Sequence, residues 1–212
     1  MIDFLTAATP NGYKVSIALE EMALPYNLIK VNLGTGEQKT SDFLKLNPNG
    51  RIPVIIDRDN DDLVLFESGA ILIYLAEKSG QFFGNNEKER YEILQWLMFQ
   101  MSGVGPMMGQ ANVFTRYFPE KIDSVISRYQ NEVKRLLTIL DEHLEHNQYL
   151  AGDYSIADMA LWPWARTHSW SGVDIEDLPH LKTWIDLIRE RPAVAKGSKI
   201  PPRAEPSDII KG

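Results

Sequence analysis

The sequence predicts an α+β domain followed by an all-helical one, and three observations carry that prediction. The first third alternates short β-branched runs with helical periods. A polar interval at Gly84-Asn85-Asn86 then breaks the chain. Beyond it, nearly every apolar pattern has a helical period. The expected domains are residues 1–80 and 87–205, and a length of 212 residues suffices for one or two cores.

Ile2-Asp3-Phe4-Leu5 is the first strand. Thr9 then offers an N-cap hydroxyl and Pro10 a first helical residue; Val15, Ala18, Leu19 and Met22 recur at helical spacing behind them. After a turn at Leu24-Pro25 a second strand runs through Asn27 to Asn32, parallel to the first by the logic of a β-α-β unit. A short helix is expected near Ser41 to Lys45. Two runs, Ile52-Pro53-Val54-Ile55-Ile56 and Leu63-Val64-Leu65-Phe66, flank the polar stretch 57–62 as a hairpin. Proline at the start of a strand costs no ladder bond, and it leaves the Ile52 backbone available to a ligand. A helix follows within a residue or two of Ser68, through Ile71, Tyr74, Leu75 and Lys78. The resulting order, β-α-β-α-β-β-α, is that of a thioredoxin-like domain.

In the second half, Leu94, Leu97, Met98 and Met101 mark a helix that Gly103-Val104-Gly105-Pro106 is expected to interrupt. A longer one carries Ile126, Tyr129, Val133, Leu136, Leu137, Leu140 and Leu144. Ser155-Ile156-Ala157-Asp158 has the logic of a capping box, with a structural purpose. The last predicted helix, through Leu181, Trp184, Ile185 and Ile188, ends at Arg191-Pro192. Trp162, Pro163, Trp164 and Trp170 read as core or cleft wall.

Composition narrows the function. The net charge of −7, without basic clusters, argues against nucleic-acid or anionic-membrane partners. Met1-Ile2-Asp3-Phe4 has no basic leader, and the apolar run around Ile71 to Ala76 falls far short of the ~20 residues of a membrane span. A cytoplasmic protein is the expectation. The chain holds no cysteine, which removes disulfide staples, thiolate metal sites and any enzyme thiol nucleophile. The four histidines, His143, His146, His168 and His180, suggest no metal site, and no metal is expected. If the protein handles thiols, the reactive sulfur arrives with a small molecule.

Two helix starts offer chemistry. At Thr9-Pro10-Asn11 a hydroxyl, an amide and free N–H groups can stabilise a thiolate, although Thr9 serves equally well as a plain cap. At Glu67-Ser68 an acidic side chain can take an ammonium group and the helix end a carboxylate, or both residues can simply cap the helix. On residues alone both choices stay open.

Pro53 opening a strand, followed by Phe66-Glu67-Ser68-Gly69-Ala70-Ile71, resembles the glutathione transferase family. Thr9-Pro10-Asn11-Gly12, Gly36-Glu37-Gln38, Asn47-Pro48-Asn49 and Ser155-Ile156-Ala157-Asp158 extend the resemblance to its bacterial nu class, the glutathione disulfide-bond oxidoreductases. Tyr13 lies past the first turn of its helix, away from where tyrosine-using classes carry that residue. The resemblance implies glutathione transferase architecture, a homodimer, and two glutathione molecules or one glutathione disulfide per site. It assigns Thr9 and Asn11 to the sulfurs and Gln38 to the glycyl end. It assigns the Ile52 backbone, before a cis peptide to Pro53, to the cysteinyl unit. Glu67 with Ser68 takes the γ-glutamyl end, and Arg128 a glutathione carboxylate. The implied activity is glutathione-dependent disulfide reduction. Two alternatives accompany it: conjugation of electrophiles in a pocket walled by Met107, Met108, Phe114 and Trp164, and a glutathione-binding regulatory module with little catalysis.

Overall fold

The computed structural model describes residues 1–202, and these divide into two compact units, Met1–Gln81 with the segment from Pro192, and Phe82–Arg191. The expected helical domain ran from 87 to 205. Its stretch 192–202 joins the first unit here, and 203–205 lie outside the described residues.

The first unit is built on β1 (Ile2–Thr6), α1 (Pro10–Glu21), β2 (Tyr26–Lys30), α2 (Ser41–Leu46), β3 (Val54–Asp57), β4 (Leu63–Phe66) and α3 (Ser68–Ser79). The strands pair in the order β2-β1-β3-β4. The β1–β2 pair is parallel, whereas β3 runs antiparallel to both β1 and β4. Strand side chains alternate between the faces. Leu5, Val54 and Ile56 therefore meet Phe43 of α2 on one side, in a cluster with Val31. The other side packs against α1 and α3, whose Ile17, Leu19, Ile71, Leu72 and Leu75 are fully buried. The second strand stops two residues earlier than its apolar run suggests. Val31 turns its N–H to Thr6 O, and the Asn32 side chain takes up the N–H groups of Gly34 and Thr35 to make a loop.

A further helix, α9 (Pro192–Gly197), returns to α1. Ser16 Oγ donates to Gly197 O at 2.7 Å, and a Cβ at Gly197 would lie 2.7 Å from Ile17 Cα. Only glycine permits so close an approach.

In the second unit α4 (Glu87–Phe99) does not break at the glycine-proline stretch. It widens into a π-helical segment, Gln100–Val104, where the Gly105 N–H reaches Gln100 O, five residues back. Helix α5 (Gly105–Asn112) then carries on from it with Pro106 as its second residue, so the proline that cannot donate follows directly on the widened turn. A second π segment, Val113–Tyr117, precedes α6 (Asp123–Leu144). Helices α7 (Ile156–Ala165) and α8 (Pro179–Arg189) complete the unit. Val133, Leu136, Leu137, Leu140 and Leu144 form the buried stripe of α6, and Leu181, Trp184, Ile185 and Ile188 that of α8. The α7 start is a full capping box: Ser155 and Asp158 each accept from the other's end of the turn. Asp158 also accepts from Leu150 N and from Trp184 Nε1.

Candidate functional site

Topology gathers most of the sequence-predicted residues at one end of the sheet. Strand β1 ends at Thr6, and the register Leu5↔Val54 sets the start of β3 beside it. The register Val54↔Phe66 brings the end of β4, and with it Glu67, to the same place. Parallel β2 also ends there and leads into the Glu37–Lys39 turn that carries Gln38. Thr9, Asn11, Gln38, Ile52, Pro53, Glu67 and Ser68 thus all stand on loops or helix starts at that end. Arg128 belongs to the second unit, where it is exposed on α6 with Glu132 as a charged neighbour.

Thr9 is the N-cap of α1: its Oγ1 accepts from Gly12 N at 3.1 Å. The hydroxyl hydrogen remains to be donated elsewhere, so capping and anion binding are compatible in one side chain. No acidic residue stands in the first turn of α1, and half-buried Asn11 is one residue inside it. Gly12 has no room for a side chain, because a Cβ would lie 2.3 Å from Ala7 O and 2.5 Å from Thr6 Oγ1. That approach seats the helix end against the strand it follows. Tyr13 belongs to the core and is 2% exposed.

The loop before β3 is fixed by Asn47, a buried polar residue. Its Nδ2 donates to Arg51 O at 2.7 Å, and its Oδ1 accepts from Asn49 N at 3.0 Å. Gly50, at φ +61°, leans on the backbone of Gln38, whose carbonyl oxygen would be 2.9 Å from a Cβ there. Gln38 Oε1 is buried and accepts no hydrogen bond among the described residues. The Ile52–Pro53 peptide is cis. Ile52 is half-buried, and neither its N–H nor its C=O pairs with another backbone group among the described residues.

Glu67 precedes α3 at φ +70°, an uncommon conformation for a residue with a side chain, and makes no side-chain cap bond. Its exposed carboxylate is thus not used to close the helix. Ser68 is buried, and its Oγ accepts from Lys14 Nζ at 3.3 Å. Lys14, 1% exposed, is the residue that sequence reasoning missed. Burial pushes its ammonium down to about 7, against the opposing pull of Glu67. The available signal was its place one turn before Ala18 on the apolar side of α1, but a lysine at such an edge usually carries its charge out to water.

Of the four residues proposed as an apolar wall, Met108 is buried in the second unit, and its carbonyl accepts from Ser171 Oγ at 3.2 Å. Phe114 stacks on Tyr129 with ring centroids 5.6 Å apart, and Met107 and Trp164 are half-buried. Among the described residues no group of three or more acidic or histidine side chains is placed to hold a metal ion.

Residues 4–77 match the family profile described as Glutathione S-transferase, N-terminal domain, and residues 101–192 match Glutathione S-transferase, C-terminal domain. The Disulfide-bond oxidoreductase YfcG of Escherichia coli is 46% identical over 201 residues, covering 92% of this chain and 94% of that protein. A glutathione transferase from Pseudomonas putida, solved with one glutathione disulfide per subunit, superposes with a TM-score of 0.91 at 43% identity. That alignment covers 94% of this chain and 91% of the other. A glutathione transferase from Burkholderia graminis, solved with two glutathione molecules per subunit, gives 0.92 at 43% identity, covering 96% and 89%.

Proposed function

We propose a function from one premise: this chain belongs to the glutathione S-transferase family. It reduces disulfide bonds with glutathione, using bound glutathione thiolates and no enzyme cysteine. The observation that carries this reading is the α1 start, a helix end with a hydroxyl donor, an amide and no acidic residue, in a chain without cysteine. The relative named as a disulfide-bond oxidoreductase and the two structures holding glutathione disulfide or paired glutathione support it.

In this mechanism a glutathione thiolate sits at the α1 end, facing Thr9 Oγ1–H and Asn11. Lowering a thiol from ~8.5 by two units takes about 2.7 kcal/mol of preferential stabilisation. One or two charge-assisted hydrogen bonds of about 1.5–3 kcal/mol each supply it. The thiolate sulfur attacks one sulfur of the substrate disulfide; the S–S bond breaks, and the departing thiolate takes up a proton. A second glutathione thiolate attacks the glutathione sulfur of the mixed disulfide and releases the remaining substrate thiol. Glutathione disulfide leaves. The chain contributes placement and electrostatics.

The remaining assignments follow the ligand's length. Gln38 receives a donor from the glycyl end, an assignment supported by its buried, unfilled Oε1. The Ile52 backbone before Pro53 pairs with the cysteinyl unit. Glu67 holds the α-ammonium and Ser68 the α-carboxylate of the γ-glutamyl group, and Arg128 takes a glutathione carboxylate. The proposal includes a homodimer, supported by Tyr91 and Met98, which are exposed seven residues apart on α4. It also includes action in the cytoplasm, where the glutathione pool is kept reduced. No described helix is long and apolar enough to cross a membrane.

Steady-state reduction of a small disulfide, coupled through glutathione reductase and NADPH, tests the reading beside conjugation of an aryl halide. Fast disulfide turnover with slow conjugation is expected. Conjugation outrunning disulfide turnover would make the chain a conjugating transferase, and binding of glutathione disulfide without either reaction a regulatory module.

A further inference from the structure

Resting on the glutathione reading above, we propose that Asn47 is the positioning residue of the cysteinyl subsite, setting the peptide plane that aims the Ile52 N–H at the ligand's cysteinyl carbonyl. The Arg51–Ile52 peptide is trans and planar, so its C=O and N–H point in opposite directions. Whatever holds Arg51 O therefore also aims the Ile52 N–H. Asn47 Nδ2 donates to that oxygen at 2.7 Å. The sheet does not share the task, because β3 begins only at Val54. Among the described residues no backbone group accepts from the Ile52 N–H, so its direction is left to the bond on the other edge of the peptide.

The other bonds of Asn47 show why an amide is needed. Asn49 N donates to Oδ1 at 3.0 Å while Nδ2 gives to a carbonyl, and partners of opposite kind allow the side chain one orientation. An ionised aspartate would have no donor for Arg51 O. The main chain of the same residue ends α2, donating to Phe43 O at 3.0 Å, and its C=O accepts from Gly50 N at 2.8 Å. Those two bonds and the one to Asn49 close the turn 47–50 by themselves. The bond to Arg51 O reaches past the turn, and loop closure alone does not require it. Asn47 is buried, so it acts through the peptide and not by touching the ligand. The cysteinyl carbonyl is attached to the carbon that bears the thiol side chain. An Ile52 N–H turned aside therefore also displaces the sulfur from Thr9 and Asn11, and turnover falls with binding.

Titrations followed by NMR with two S-methylated ligands test this. One is γ-glutamylcysteine amide, which keeps the cysteinyl carbonyl; the other is γ-glutamylcysteamine, in which hydrogen replaces the whole carboxamide. Both lack the glycyl residue, so Gln38 does not enter the comparison. The wild type is expected to favour the amide about threefold to tenfold, the worth of one hydrogen bond. In Asn47→Ala and Asn47→Asp that preference should fall to about one. A preference that survives in both variants overturns the proposal, even where affinity for the two ligands drops equally, because an equal drop is a packing loss. Should both variants fail to fold, the wild type decides. Bonding at one edge of a peptide polarises the other, so the Asn47 Nδ2 protons should move downfield together with the Ile52 N–H when the amide binds. Neither signal should do so with the cysteamine. An Ile52 signal that moves without the Asn47 side chain overturns the role of Asn47 alone. A wild type without preference between the ligands removes the Ile52 assignment and this proposal with it, whereas one that fails to bind S-methylglutathione removes the glutathione reading itself.

Discussion

The starts of α1 and α7 are alike in sequence and opposite in use. Each has a hydroxyl N-cap: Thr9 accepts from Gly12 N and Ser155 from Ala157 N. At α7 the positive end is answered from within, because Asp158 returns to Ser155 N at 3.0 Å and also satisfies Leu150 N and Trp184 Nε1. At α1 no carboxylate of its own first turn answers, and the loop is tied down by the close approach at Gly12 instead. A helix end filled by its own acid is finished structure. One left without it is equipped for an anion that comes and goes.

Substitutions at the two ends should separate these uses. The largest effect is expected from Asp158→Ala, which strands three buried N–H donors and should cost about 3 kcal/mol or more in chemical denaturation. The folded fraction should keep its rate of disulfide turnover. If that rate falls in proportion to stability, the α7 end is not purely structural.

Next comes Asn11→Ala, expected to lower disulfide turnover by about two orders of magnitude while changing stability by less than about 1 kcal/mol. A wild-type rate in this variant would remove Asn11 from the reaction. Thr9→Ala and Ser155→Ala sharpen the contrast, because each loses a cap worth about 1 kcal/mol. Only the Thr9 variant should also lose turnover, and Thr9→Ser should restore both properties. Matching activity profiles for the two alanine variants would erase the distinction between the helix ends.

The smallest effect is a slope. Lys14 holds its proton only to about pH 7 in the fold, against an ordinary lysine value of 10.5 in the unfolded chain. Above pH 7 the unfolded chain binds more protons than the folded one, so stability without ligand should rise with pH. The rise from about pH 7 to 8 should be about 1 kcal/mol. Denaturation midpoints that stay flat across this window, or rise equally in Lys14→Met, would show that Lys14 is not the source.

Much of this was legible before any coordinates. The period-two and period-3.6 patterns put β1, α1, β3, β4 and α3 where they are, since each buries one face or stripe. The α7 box could be read because both partners lie within one turn, Ser155 and Asp158. Features that depend on distant chain were not legible. Helix α9 owes its place to Gly197 meeting Ile17, 180 positions back along the chain. Lys14 is buried by an α3 that the sequence places 54 residues away. The Gly103–Pro106 stretch carries every mark of a break, yet widening the helical hydrogen-bonding by one residue absorbs both glycine and proline.

The missing cysteine has one more consequence under the proposed chemistry. A thiolate built into a polypeptide is exposed to peroxide at each turnover, and oxidation beyond the sulfenic state ruins the catalyst permanently. Here the vulnerable sulfur belongs to a tripeptide that is exchanged after every cycle. The sulfurs of the chain itself are all thioethers, with Met98 about half exposed, and methionine sulfoxide is repairable. Such a protein would keep working through an oxidative burst, because the part that wears out is replaced from solution.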